Sequence, residues 1–99
     1  MYLTAYDFTG PRDALLAGWH RMAEQAGADV DLHIAVVTDT GLTILDACPD
    51  KETMEHFSTS PEFLGLVDGC GLPRPVVRPL GEVHAAIARS SALTTPAPA

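Results

Sequence analysis

The chain has 99 residues, 46% hydrophobic and 19% charged, with a formal charge of −7 at neutral pH, a composition that excludes global disorder and suits one folded domain. Its six Lys and Arg residues (Arg12, Arg21, Lys51, Arg74, Arg78 and Arg89) are scattered rather than clustered. That argues against a phosphate-binding surface and hence against a nucleic-acid partner. The opening MYLTAYDF has no basic segment before an apolar run, and no stretch approaches the roughly 20 apolar residues of a membrane span, so a cytoplasmic protein away from membranes is expected.

Tyr2 to Phe8 alternates aromatic or β-branched residues with others and ends at Gly10-Pro11, the pattern of a first strand. Pro11 suits the start of a helix because its missing N–H would find no partner there, and Asp13 complements the helix dipole. Ala14, Leu15, Gly18, Trp19, Met22, Ala23 and Ala26 recur at helical spacing, and Gly27 is the expected stop.

From Val30 to Thr38 the period becomes two, and Leu42 to Ala47 repeats it, so the short segment between them closes a β-hairpin. A two-residue type I′ turn would force the β-branched Thr40 to positive φ, whereas a three-residue Asp39-Thr40-Gly41 loop gives that conformation to glycine. The three-residue loop is the expectation. It pairs Thr38 with Leu42 and sets His33, Ala35 and Val37 on one face with Thr43, Leu45 and Ala47. Leu32, Ile34, Val36, Leu42 and Ile44 then form a uniformly apolar second face. In this register Asp46, the natural partner for His33, falls on the opposite side.

Asp50 caps a helix carrying Met54 and Phe57, and Ser60-Pro61 restarts it with Phe63, Leu64, Val67 and Cys70 inside, up to Gly71. Leu72-Pro73-Arg74-Pro75 is a stiff connector. A final strand is expected from Val76 to Ile87, interrupted at Pro79 and Gly81 by a bulge or at an edge. Residues 89–99 have the small-residue and proline bias of a disordered tail, leaving residues 1–88 as the domain.

The order β-α-β-β-α-β is that of a ferredoxin-like α+β fold, with both helices on one face of a four-stranded antiparallel sheet. A domain of this size buries only about 60 to 65% of its unfolded surface. A second copy laid on the apolar hairpin face would complete the burial, giving a homodimeric α/β barrel with the mixed face, including His33, under the helices.

His33 carries an imidazole, the side-chain type whose reference pKa of about 6.5 suits proton exchange with a phenol or enol, although a core histidine bonded to a backbone carbonyl reads the same way. His56 either edges the buried stripe of its helix, facing the sheet, or is solvated. His84 lies where a barrel partner would approach, and His20 falls off the helical stripe. Tyr2, Tyr6 and Trp19 either stack on a planar ligand or fill core volume. Cys48 and Cys70 read as buried small hydrophobes rather than a disulfide or metal pair. No His-x-His, His-x₃-His or Cys-x₂-Cys spacing, glycine-rich phosphate loop or nucleophile elbow occurs, so neither a metal nor another cofactor is expected.

Ala47-Cys48-Pro49-Asp50, Met54-Glu55-His56-Phe57 and Ser60-Pro61-Glu62-Phe63, with His33, Gly41-Leu42 and Val83-His84, resemble the antibiotic biosynthesis monooxygenase type of dimeric α/β barrel over roughly residues 1–88. Two departures stand out. Ala47 replaces the tryptophan that usually closes the third strand, and the chain has no asparagine, a pocket residue of haem-degrading and some quinone-forming members. The small Ala47 implies a larger pocket, suited to a polycyclic or polyketide-like ligand. The resemblance implies a cofactor-independent monooxygenase, cyclase or isomerase of secondary metabolism. His33 and His56 would be catalytic, and Tyr6, Trp19, Thr43, Ala47, Met54 and His84 would line the substrate. The alternatives are a non-catalytic ligand-binding homodimer and a structural homodimer with a filled interior.

Overall fold

A computed structural model describes residues 1–26 and 31–87. The expected stop at Gly27, the strand start at Val30 and the tail after residue 88 lie outside the described residues. The elements run β1 (Tyr2–Thr9), α1 (Arg12–Ala26), β2 (Leu32–Thr38), β3 (Gly41–Cys48), α2 (Lys51–Ser58), α3 (Pro61–Gly69) and β4 (Val76–Glu82). This is an α+β fold in which every strand pairing is antiparallel, in the order β2-β3-β1-β4. The order is compatible with the ferredoxin-like arrangement expected from the sequence. Among the described residues, no helix is long and apolar enough to cross a membrane.

Local signals account for the helix boundaries. The Asp50 carboxylate accepts from the Thr53 amide at 2.7 Å, and Ser60 Oγ accepts from the Phe63 amide at 3.2 Å with Pro61 opening α3. Each cap satisfies an amide that has no partner within its helix. α1 lies close to the connector after α3 because Gly18 has no side chain: a Cβ there would stand 2.6 Å from a methyl of Leu72. Arg21 holds the same connector by donating from Nε and Nη2 to the Cys70 carbonyl, at 3.1 and 2.7 Å.

The helices cover one face of the sheet. Tyr6, Phe8, Leu42 and Ile44 on that face pack with Leu15, Met22, Phe63 and Val67 into a single core. Of the expected stripe on α1, Leu15 and Met22 are buried, while Ala14 and Ala23 are exposed. Cys48 and Cys70 are free, buried thiols. The opposite face is open: Ile34 is 41% exposed, Val36 38% and Val76 65%. Across it, Asp7 accepts from Thr43 Oγ1 at 2.8 Å and from Arg78 Nη2 at 3.1 Å.

Two expectations are corrected. The hairpin turn contains two residues, Asp39 and Thr40, because Thr38 pairs with Gly41. Among the described residues, none other than glycine takes positive φ, so the steric objection to Thr40 in a short turn does not arise. Tertiary contacts set this length. The Gly10 amide donates to the Thr40 carbonyl at 3.2 Å, and Gly41 lies so near β1 that a Cβ would stand 2.1 Å from the Phe8 carbonyl oxygen. The shorter turn rotates β3 by one residue: Leu42 and Ile44 face the helices, and Thr43, Leu45 and Ala47 face the open side.

The last strand is also shorter than expected, ending at Glu82 rather than Ile87. Its register against β1 shifts between Leu3 and Thr4, where Pro79 and Gly81 sit. Proline cannot donate to the ladder, and the slip leaves Leu80 unpaired. Glu82 pairs with Tyr2, the first residue of β1, and beyond it one bond from the Val83 amide to the Met1 carbonyl closes the sheet.

Candidate functional site

The corrected register places His33 directly opposite Asp46. Nδ1 of His33 lies 2.6 Å from Asp46 Oδ1. On its other side, Trp19 Nε1 donates to His33 Nε2 at 3.1 Å, and the indole and imidazole stack with an interplanar angle of 20°. The indole N–H is only a donor, so Nε2 must accept, and the imidazole proton therefore sits on Nδ1 and is donated to Asp46. His33 is held as a neutral ring of defined tautomer, oriented by a carboxylate from behind and covered by an indole in front.

Position in the sheet explains this arrangement. β2 is an edge strand, so the helix layer covers it incompletely and the His33 side chain remains 34% exposed, whereas Asp46 on the inner strand β3 is 12% exposed. Trp19 is the residue of α1 that reaches across the gap. A carboxylate holding Nδ1–H while Nε2 faces outward is the general-base arrangement, because the carboxylate stabilises the imidazolium that forms when Nε2 takes a proton. Here Nε2 is occupied by the indole N–H, so a substrate hydroxyl or C–H would have to take the place of Trp19.

Behind Asp46 the row continues inward to Thr4, its partner on β1. Thr4 is fully buried and Tyr6, two residues on, is 2% exposed. Neither Thr4 Oγ1 nor the Tyr6 hydroxyl has a hydrogen-bonding partner among the described residues. Burial first, then the Asp46 carboxylate, pushes the ionisation of Tyr6 far up, so it remains an O–H. Burial foremost, with Asp46, Asp31 and Asp50 adding to it, also raises the Cys48 thiol and keeps it from forming thiolate.

The structure brings His33 and Trp19 together and sets Tyr6 deeper on the same face. Met54 is buried in α2, 1% exposed, in the helix layer. Thr43 and Ala47, expected to share the His33 face, lie on the other one for the reason of register given above. Ala47 is fully buried, paired with Leu3 and Leu32 across the ladder. Its small side chain therefore opens no space beneath the helices, and the enlarged pocket expected there is withdrawn. His56 is exposed in the last turn of α2, and His84 is exposed beyond the end of β4. Neither is hydrogen-bonded to the His33 cluster among the described residues.

Thr4 was not singled out from the sequence, and Asp46, considered there as the partner of His33, was set on the opposite face by the three-residue loop. The signal for Asp46 was present, since a two-residue hairpin aligns it with His33. An open groove of about 520 Å³ lies elsewhere, lined by Pro11, Arg12, Asp13, Val37, Thr38 and Asp39 at the hairpin end of β2. Among the described residues, no group of three or more His, Cys, Asp or Glu side chains is arranged to hold a metal ion. In comparisons with known proteins, no family model, curated protein or solved structure matches this chain.

Proposed function

We propose that this chain is a small cofactor-independent enzyme that removes a proton from a planar phenolic or enolisable molecule, acting in the cytoplasm as a homodimer. The observation that carries the reading is the position of His33, between the Asp46 carboxylate and the Trp19 N–H. The substrate proton passes to His33 Nε2 when the ligand displaces the indole, and Asp46 steadies the imidazolium. The enolate or phenolate left behind is then reprotonated at another carbon, closes a ring or meets dioxygen. Those three fates distinguish an isomerase, a cyclase and a monooxygenase. The resemblance to antibiotic biosynthesis monooxygenases favours the last, together with a ferredoxin-like dimeric barrel in which a second copy covers Ile34, Val36 and Val76.

The test is hydrogen–deuterium exchange at the activated CH₂ of 2-tetralone in D₂O, followed by proton NMR. The wild-type chain should accelerate exchange over buffer, and His33→Ala should return it to the buffer rate. Equal rates for the two proteins would remove His33 as the base, and an oxygen electrode run in parallel reports whether dioxygen is consumed.

One observation favours a second reading, a non-catalytic ligand-binding homodimer. Both imidazole nitrogens of His33 already have partners within the chain, so its role is satisfied without a substrate. On that reading, His33→Ala and His56→Ala retain ligand affinity, and no exchange is accelerated.

A further inference from the structure

We propose that the hydroxyls of Thr4 and Tyr6 form a buried site for a neutral, hydrogen-bond-accepting oxygen, belonging either to the carbonyl or hydroxyl of a small aromatic ligand or to an internal water. The two residues stand two apart on β1, on the face the helices cover, with relative exposures of 0% and 2%. Neither hydroxyl has a protein partner among the described residues. Folded proteins leave few buried hydroxyls unbonded, because each gives up its hydration on folding and recovers nothing, so two on one face of one strand point to a hydrogen-bonding partner there.

The surroundings select its chemistry. Asp46 stands directly across the ladder from Thr4, and its carboxylate disfavours an anion such as phosphate or a carboxylic acid. Tyr6 remains an O–H across the physiological range, pushed that way by burial first and by Asp46 second, so it keeps a proton to donate. Aromatic groups stand next to it: the Tyr6 ring is 5.4 Å from Phe63, which is 4.8 Å from Phe57. A flat ring carrying one neutral oxygen matches both the hydroxyls and the aromatic surface. A ligand oxygen at Thr4 would lie on the Asp46 side of the pair, away from Nε2, so the organic arm fixes one end of the ligand there, leaves the reacting proton elsewhere on it, and rests on the function proposed above.

The probes are 1-naphthol and 1-methylnaphthalene, nearly equal in shape and differing by the oxygen, titrated by NMR into the wild-type chain, Tyr6→Phe, Thr4→Val and His33→Ala. The organic arm expects the wild type to prefer 1-naphthol by about fivefold, one hydrogen bond's worth of affinity. Tyr6→Phe and Thr4→Val lose the preference without melting at a lower temperature, and His33→Ala keeps it, which separates this site from the fate of the proposed base. The water arm expects no preference, lower Tm for both hydroxyl variants, and an ordered water within hydrogen-bonding distance of both hydroxyls in a crystal. The proposal is overturned if no protein distinguishes the two probes and Tyr6→Phe and Thr4→Val melt at the wild-type temperature or above.

Discussion

Nδ1 of His33 and Oδ1 of Asp46 are 2.6 Å apart across the hairpin, although they stand thirteen positions apart in sequence. The pair exists because Thr38 bonds to Gly41 rather than to Leu42. Asp46→Asn tests it. The asparagine amide oxygen can accept from Nδ1–H but lacks the charge, and a hydrogen bond to a charged group typically contributes about 1.5 to 3 kcal/mol. With His33 a third exposed, the expected loss is about 1 kcal/mol in urea unfolding, after discounting for solvent screening. Nitrogen-15 NMR should show one tautomer, protonated at Nδ1, in the wild type and a mixture in the variant. An unchanged tautomer and midpoint would mean that the carboxylate does not orient the ring.

Asp7 contributes to the acid limb of stability. The hydrogen bond from Arg78 first, and that from Thr43 second, hold its carboxyl below the usual range. A carboxyl whose folded pKa is depressed stabilises the fold above its unfolded value, about 4, and that contribution is lost as pH falls through the lower folded value. Denaturation midpoints should therefore decline below about pH 4, and Asp7→Asn should flatten the decline while leaving it in place for Asp13→Asn. Identical slopes for Asp7→Asn and wild type would assign the acid sensitivity to other groups.

Gly41→Ala probes the turn. The new Cβ would stand 2.1 Å from the Phe8 carbonyl oxygen, a backbone atom that cannot rotate away. The strand must shift or the φ of 157° must change, and an expected cost of about 2 kcal/mol or more should appear in thermal unfolding. Gly65→Ala is the control, because nothing lies within 4 Å of a Cβ there; its midpoint should stay level or rise. Equal melting of the two variants would show that β1 and β3 do not approach as closely at Gly41.

Met54, 1% exposed in α2, reports on packing of the helix layer. Met54→Ala should lower stability by about 2 to 5 kcal/mol, the usual range for removing a large buried side chain. A loss below about 1 kcal/mol would indicate that α2 relaxes into the space, as a layer that opens for a ligand would.

The open face tests the proposed homodimer. Ile34, Val36 and Val76 leave apolar surface in water, and a second copy would cover it. Sedimentation should give a dimer for the wild type and a monomer for Ile34→Asp. A wild-type chain that is monomeric at high micromolar concentration would end the barrel reading.

Caps, chain breaks and hydrophobic periods were legible in the sequence because they are local. Asp50 and Ser60 cap the helices that follow them, and Gly10-Pro11 separates β1 from α1. The α+β order followed from those signals alone. The partner of His33 did not. Leu42, Ile44, Leu45 and Ala47 are apolar in both phases of β3, so alternation by itself could not decide which residues face the helices, and a slip of one residue exchanges the two faces. The decision came from outside the hairpin, where the Gly10 amide bonds to the Thr40 carbonyl and β1 packs against Gly41. Those contacts shortened the turn to two residues and carried Asp46 to the His33 side. They moved Thr43 and Ala47 to the open face. The sequence by itself determined the elements and the kinds of side chain they carry, since these depend on neighbours along the chain. Only the tertiary structure decided which of those side chains meet, because strand register is a property of how β1, β2 and β3 pack together.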